Sequence, residues 1–318
     1  MVNFSKPIIL LLKLVTIIII AASTYIFLLK VCYRFDKGNY NAAILDKLQL
    51  LKSTTSPKIV FVGGSNLAFG LDSSTIKQAF GLPVVNMGLQ AGLGLKYMLD
   101  QVKPYLKRGD VVVVVPEYHH FTGNIFYGED VLIDIAEITH DWSILVNMPI
   151  SSLVDSVLVR NRRIFNYSLN YPSQPTSTVY MRNSFNSYGD VIAHLKLPNK
   201  KLSSDSKPID TNINQAAVRY LANFIATNSE HGVTTLVLYP CIARSYYIRR
   251  SSLIAILSKA ISNSGIIISS SPQNFIYDDN MFFDTHYHLN AHGRKLRTEE
   301  IIHKMSSAMN NTAHFVNN

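Results

Sequence analysis

The sequence predicts an α/β domain, a parallel sheet flanked by helices, set behind one N-terminal membrane-spanning helix and interrupted by a long insertion. Three observations lead there. From residue 56 onward, short apolar runs alternate with segments of helical periodicity, the rhythm of parallel strands joined by crossover helices. One of these runs is the valine stretch 111–115, which suits a strand buried on both faces. Ahead of them stands the apolar block IILLLKLVTIIIIAASTYIFLL at 8–29.

The 22 residues of that block, at ~1.5 Å each, reach about 33 Å, enough for a hydrocarbon layer of about 30 Å. Only Lys13 interrupts it, close enough to the end for its side chain to snorkel. Ala21, Ala22 and Ser23 offer the small residues of a signal-peptide cleavage site, but the apolar run continues through Tyr25 to Leu29, which a cleaved signal does not need. An uncleaved anchor over residues 1–37 is the expectation. Its orientation is nearly a tie, with Lys6 and the amino terminus on one side and Lys30, Arg34 and Lys37, offset by Asp36, on the other.

Composition narrows the rest. With 318 residues, a net charge of +9, 47% hydrophobic and 16% charged residues, the chain is neither a disordered polyelectrolyte nor a small disulfide scaffold. Cys32 and Cys241 are the only thiols, so a disulfide within the large domain and a thiolate zinc site are both excluded. Arg160, Arg162 and Arg163 form the densest basic cluster, suited to anionic lipid headgroups, to acidic glycans or to plain solvation. Nucleic acid is not an expected partner, because no reader motif is present.

Within the domain, expected at 56–318, strands are predicted at 58–62, 84–86, 111–115, 234–239 and 266–268. Helices fall at 73–80 and at 95–106, the latter shortened or kinked by Pro104. Residues 212–230 carry Ala217, Leu221, Phe224 and Ile225 at helical spacing and stop at Gly232. Leu253, Leu257 and Ile261 line another helix ended by Gly265. Asn290 caps a last helix that turns Leu296, Ile301, Ile302 and Met305 inward. Residues 121–210 break the rhythm, with a helical first half followed by Asn-, Ser-, Tyr- and Pro-rich sequence such as NYSLNYPSQPTSTVY. This stretch is too long for a bare loop and is expected to pack as a lobe near the site.

Three segments carry side chains suited to chemistry. The first strand runs into Gly63-Gly64-Ser65-Asn66, and in open α/β sheets ligands gather at the carboxyl ends of strands. Two glycines permit a sharp turn that uncovers a nucleophilic hydroxyl on Ser65, although the same tetrapeptide also serves as an ordinary loop. At the end of the second strand, Asn86-Met87-Gly88 offers an amide side chain and a closely approachable N–H, or simply a tight strand-to-helix turn. Near the C-terminus, Asp284-Thr285-His286-Tyr287-His288-Leu289-Asn290 supplies a base, His288, and an acid, Asp284, to fix its tautomer.

In this order the three segments resemble the SGNH (GDSL-like) hydrolase superfamily, and most of all its membrane-anchored branch of cell-envelope and exopolysaccharide O-acyltransferase-like proteins. The resemblance covers about 56–120 and 232 to the C-terminus. It implies a flavodoxin-like sheet, Ser65 as nucleophile, Gly88 as an oxyanion donor, His288 as base and Asp284 as its orienter. Two departures stand out. The family places its aspartate three residues before the histidine, whereas Asp284 lies four before His288. The family's Gly-x-Asn-Asp segment after the third strand is replaced by Pro116-Glu117-Tyr118-His119-His120, leaving Asn86 or Asn66 to substitute as oxyanion donor.

Glu117 and Tyr118 either line the pocket or make buried structural hydrogen bonds, and His119-His120 reads as pocket rim or surface. Asn186, Gly189 and Asp190 form a turn that either folds over the site or is plain loop. His286, His288 and His292 with Asp284 are chemically able to surround zinc, but no metal or other cofactor is expected, since Asn290 occupies the place of the aspartate that a His-x-His-x-Asp-His site requires. The expected function is an extracytoplasmic serine esterase or O-acyltransferase, with acetyl the expected group, acting on an envelope glycan or exopolysaccharide. Expected partners are the bilayer, the glycan and a multi-pass membrane acyltransferase. The rivals are a non-catalytic glycan-binding or assembly subunit that keeps the fold, and a lipase or thioesterase acting on membrane lipid.

Overall fold

A computed structural model describes residues 6–36, 38–169, 177–203 and 210–316. Lys37 and the proline-containing 170–176 of the insertion lie outside the described residues, as do 204–209. The first helix, α1 (Lys6–Asp36), contains a stretch, Lys6–Leu28, that is long and apolar enough to cross a membrane and has 0% of its apolar window buried. A second helix, α2 (Ala43–Ser53), follows in a stretch where no element was expected.

The sheet then forms as β1 (Ile59–Gly63), β2 (Val84–Asn86), β3 (Val111–Val115) and β4 (Thr234–Val237), all parallel, in the order β2-β1-β3-β4. Apolar runs specify these strands because both faces are covered. Val60, Phe61, Val112, Val113 and Val114 are fully buried, each contributing roughly 1.5–3 kcal/mol. The connecting elements are α3 (Ser65–Gly70), α4 (Ser73–Phe80) and α5 (Leu95–Asp100), with α5 ending before Pro104, which opens a separate 3-10 turn. The insertion folds as α6 (Asp130–Thr139) and α7 (Ile150–Leu169), joined to shorter 3-10 turns. After it come α8 (Gln215–Glu230), capped by Asn214, then β5 (Ile242–Ala243), α9 (Arg244–Asn263), β6 (Ile276–Tyr277) and α10 (Ala291–Val316).

Two expectations need correction. The run 266–268 is not a fifth strand; Ile268 makes a single parallel bridge to Val237, and β5 pairs instead with β6 in a separate two-stranded sheet. A short apolar run fits a buried loop as well as a strand, and here the polar Ser269-Ser270-Ser271 ends it too soon for a ladder. The basic cluster is also not an open patch. Arg160 is buried and pairs with Asp134 and Glu137 of α6, Arg163 is exposed but pairs with Asp130 and Asp134, and Arg162 is exposed.

The insertion is tied to the sheet through buried polar groups. Asp190 is fully buried and accepts from Ser73 Oγ (2.6 Å), Asn86 Nδ2 (2.8 Å) and Arg294 Nη2 (3.2 Å). Gly189 before it has φ +92°, and a Cβ there would stand 2.3 Å from the Asn86 carbonyl oxygen, so only glycine fits. From the other side, the buried Lys47 of α2 donates to the carbonyls of Asn86 (2.8 Å) and Gly189 (2.6 Å). Burial pushes the Lys47 ammonium down to about 7, only partly opposed by Asp190 and Asp46.

Lys47 therefore makes stability pH-dependent. The unfolded chain keeps a proton on this amine up to the ordinary value of 10.5, while the folded chain releases it near about 7. The folded state then binds fewer protons over that window, so this residue's contribution rises as pH climbs through it and is flat below it. Urea midpoints measured across the window are expected to rise with pH in the wild type, and Lys47→Met is expected to flatten that part of the profile.

Candidate functional site

The chain leaves β1 through Gly64 and enters α3 at Ser65, which is half-buried at the carboxyl edge of the sheet. Gly64 is required by a close approach, since a Cβ there would lie 2.5 Å from Glu117 Oε1. That oxygen accepts from the Asn66 backbone N–H (3.1 Å) and from Asn66 Nδ2 (3.2 Å). Asn66 Nδ2 also reaches the Val115 carbonyl (3.3 Å). On the opposite side Arg297 of α10, fully buried, donates Nη2 to Asn66 Oδ1 (2.7 Å) and Nη1 to the Asn66 carbonyl. The start of α3 is thus gripped between the end of β3 and the last helix.

His288 and Asp284 sit in a loop closed on itself by the Phe283 N–H to His288 carbonyl hydrogen bond (2.7 Å) and by an antiparallel bridge between Phe282 and Leu289. The closure turns both side chains to one side. His288 Nδ1 and Asp284 Oδ1 are 2.9 Å apart, so a four-residue spacing brings acid and imidazole together. Burial opposes ionisation of Asp284, but the hydrogen bond and charge of His288, and then the Tyr180 hydroxyl, hold its carboxyl below the usual carboxylate range. An ionised Asp284 assigns the proton to Nδ1, which leaves Nε2 of the neutral ring as a base.

The imidazole lies against α3. His288 stacks on Phe69 with ring centroids 3.9 Å apart and planes 5° from parallel. Phe69 follows Ser65 by four positions, so the two share a helix face, and the Phe69 side chain leans back over the turn that Ser65 opens. Ser65 and the Phe69 that supports the His288 ring thus lie on one face of the same short helix. Among the described residues, the Ser65 hydroxyl makes no hydrogen bond and its backbone N–H has no acceptor.

Tyr180 completes the group and was not foreseen. Its hydroxyl donates to Asp284 Oδ2 (2.6 Å) and lies 3.1 Å from His288 Nδ1. Burial and the Asp284 carboxylate push this hydroxyl well above its ordinary value, so it is a fixed donor. Tyr180 comes from the insertion, 104 positions before Asp284. No local pattern marks it. Phe69, Tyr180 and His194 surround the His288 ring, and burial pushes His194 down to about 4, so it stays neutral.

The expected oxyanion donors are placed differently. The Gly88 N–H donates to Asn86 Oδ1 (2.9 Å), and Asn86 Nδ2 is spent on the Leu67 carbonyl (3.1 Å) and Asp190 (2.8 Å). Asn66 is spent on Glu117 and Val115 as described. All three are fully engaged inside the protein, because a buried amide must find acceptors wherever it points. Glu117, 2% exposed, is a brace and not a pocket wall. Tyr118 is buried with its hydroxyl unpartnered among the described residues, and packs on Tyr239. His120 is buried, its Nδ1 accepting from the Glu117 N–H (3.0 Å), while His119 Nε2 lies 3.6 Å from Glu117 Oε2. The Asn186–Asp190 turn is anchored on Ser73, Asn86 and Arg294 through Asp190.

His286 faces elsewhere, stacked on Tyr246 with Nε2 3.4 Å from Arg249 Nη2, and His292 is exposed on α10. Among the described residues, no group of three or more His, Cys, Asp or Glu side chains converges as a metal set would. Two cavities lie away from this chemistry. One of about 500 Å³ is bordered by Lys96, Tyr97, Asp100 and Tyr105, and another of about 340 Å³ by Lys47, Phe185 and Gly189.

The brace carries a direct expectation. Asn66→Ala takes one hydrogen bond from each of two buried charged groups, Glu117 and Arg297, leaving them their bonds to the Asn66 backbone, and is expected to cost about 1–3 kcal/mol in chemical denaturation. Ser65→Ala, at a half-buried hydroxyl with no partner, is expected to leave the denaturation midpoint within about 0.5 kcal/mol of wild type. No protein-family model matches the chain and no curated protein matches it, so the reading of the site stands on this geometry.

Proposed function

We propose that the chain is a membrane-anchored, extracytoplasmic serine esterase or O-acyltransferase of SGNH type, moving an acyl group, with acetyl the favoured one, on or off an envelope glycan. The observation that carries this reading is the Asp284–His288 pair at 2.9 Å, with its ring stacked one helical turn beyond Ser65. The strand order β2-β1-β3-β4 supports it as well, being the order of the first four strands of a flavodoxin-like sheet. With α1 as a membrane span, a glycan passing the outer face of the membrane is a reachable acceptor.

In this reading His288 Nε2 takes the Ser65 proton as Oγ attacks an acyl carbonyl. Asp284 and Tyr180 hold the ring and stabilise the imidazolium. The Ser65 backbone N–H, unclaimed at the start of α3, faces the developing oxyanion in place of the engaged Gly88, Asn86 and Asn66. His288 returns the proton to the leaving oxygen, giving an acyl-serine, and then activates water or a sugar hydroxyl to release the acyl group. No metal or cofactor enters these steps. A multi-pass membrane acyltransferase as acyl donor is compatible with the anchor.

A second reading, a glycan-binding or assembly subunit that has kept the fold, draws on one observation: each amide expected as an additional oxyanion donor is already engaged. Turnover of aryl acetates and of acetylated glycans by the purified full chain separates the two. Ser65→Ala and His288→Ala are expected to abolish turnover while remaining folded. Asp284→Asn, which reverses the imidazole tautomer, is expected to lower kcat on the order of 10³–10⁴-fold. Tyr180→Phe, removing one charge-assisted hydrogen bond, is expected to cost about tenfold or more. Glycan binding that survives Ser65→Ala, with no turnover in the wild type, would establish the binding role instead.

A further inference from the structure

Helix α7 turns Arg160 and Arg163 toward α6 and an apolar stripe toward solvent, with the exposed Arg162 at the edge of that stripe. Toward the domain, Arg160 and Arg163 pair with Asp130, Asp134 and Glu137 of α6. Toward solvent, Ile150 (82% exposed), Val154 (51%), Leu158 (61%), Phe165 (55%) and Leu169 (67%) recur at helical spacing along one face. At ~1.5 Å per residue this 20-residue helix presents a stripe about 30 Å long. Soluble surfaces do not leave such a continuous apolar strip in water.

The neighbour of α7 indicates what covers it. α7 packs alongside α1, with Arg160 in the neighbourhood of Tyr25, near the domain-proximal end of the Lys6–Leu28 stretch. A tyrosine at the end of a span belongs at the level of the lipid headgroups. The contact therefore puts the middle of α7 at that level too, beside a helix whose own apolar residues, such as Ile17, Ile18 and Phe27, are exposed. An amphipathic helix at this depth, apolar on one side and arginine-bearing on the other, is built to lie in the interface plane.

We propose that α7 is a second membrane-contacting element, lying in the headgroup–acyl boundary of the bilayer that α1 crosses, with Ile150, Val154, Leu158, Phe165 and Leu169 facing lipid. This rests on the reading of α1 as a span. One helix alone would tether the domain and leave it free to swing, whereas a span and an interfacial helix packed together fix its tilt. The height of the Ser65 edge above the membrane is then constant, and the acceptors it meets are those presented at that height.

The single tryptophan of the chain, Trp142, makes the proposal measurable. In a Trp142→Phe background, full-length single-tryptophan variants Ile18→Trp, Leu158→Trp and Ile267→Trp are reconstituted into phosphatidylcholine and phosphatidylglycerol vesicles with and without bromine on the acyl chains. Ile18 reports the span, and Ile267, 85% exposed in the segment after α9, reports solvent. Quenching of Leu158→Trp comparable with that of Ile18→Trp, with Ile267→Trp unquenched, is the expected result. Quenching at Ile18 with Leu158 behaving like Ile267 would overturn the proposal while leaving the anchor intact, and is also what a protein partner on this face would give in pure lipid. No quenching at either position would overturn both. Ile150→Trp serves as a second reporter on the stripe should Leu158→Trp fold poorly.

Discussion

Asn66 is clamped between a carboxylate on one strand end and a guanidinium on the last helix, and the geometry of the site follows from that clamp. Glu117 takes its backbone and side-chain N–H groups while Arg297 takes its two oxygens, all within a buried shell. Among the described residues the nearest ion-pair partner of Glu117 is His119 at 3.6 Å, so removing the side-chain amide would leave Glu117 and Arg297 leaning on the Asn66 backbone alone at this point. A clamp of this kind fixes where α3 begins and therefore which way it runs. The direction of α3 in turn sets Ser65 at the sheet edge and Phe69 where it meets His288. A chain more than two hundred positions long is closed at this point, since Arg297 and Asn66 are 231 residues apart.

The electrostatics around the clamp are arranged so that one acid carries the charge at the imidazole. Asp284 is held ionised by His288 and Tyr180, whereas the nearby His194 is kept neutral by burial, as is His120 beside Glu117, each pushed down to about 4. His288 is the ring with a carboxylate on Nδ1 and a flat apolar support beneath it. This difference in partners, and not histidine density, distinguishes it from His119, His120, His194 and His286. The same selection of partners explains why the amides of Asn66, Asn86 and Gly88 are occupied: in a buried turn they hold the backbone, and the unclaimed donor is the first N–H of α3.

What was legible in the sequence was whatever depends on local chemistry or on burial on both faces. The valines of β3, the short runs of β1, β2 and β4 and the Asn290 cap of α10 follow from periodicity and capping, and Asp284 reaches His288 because four residues separate them in a closed loop. The contacts that were not legible join segments about a hundred or more positions apart through single polar atoms. Tyr180 on Asp284, Asp190 on Ser73 and Asn86, Lys47 on Gly189 and Arg297 on Asn66 have no periodic signature, and each is meaningful only once the sheet has brought its partner close. The 266–268 run misled for the converse reason, since its apolar character reports burial and not ladder pairing. The arginines of α7 looked like an open basic face because their acidic partners lie on another helix.

The central claim is that Ser65 is a nucleophile activated by His288 under the control of Asp284. It is tested most directly by treating the purified full-length chain with a serine-directed fluorophosphonate and locating the adduct by peptide mass spectrometry. The account predicts one adduct, on Ser65, absent in Ser65→Ala and formed much more slowly in Asp284→Asn. No adduct on a folded chain, or labelling of Ser65 at the same rate in wild type and Asp284→Asn, would contradict it.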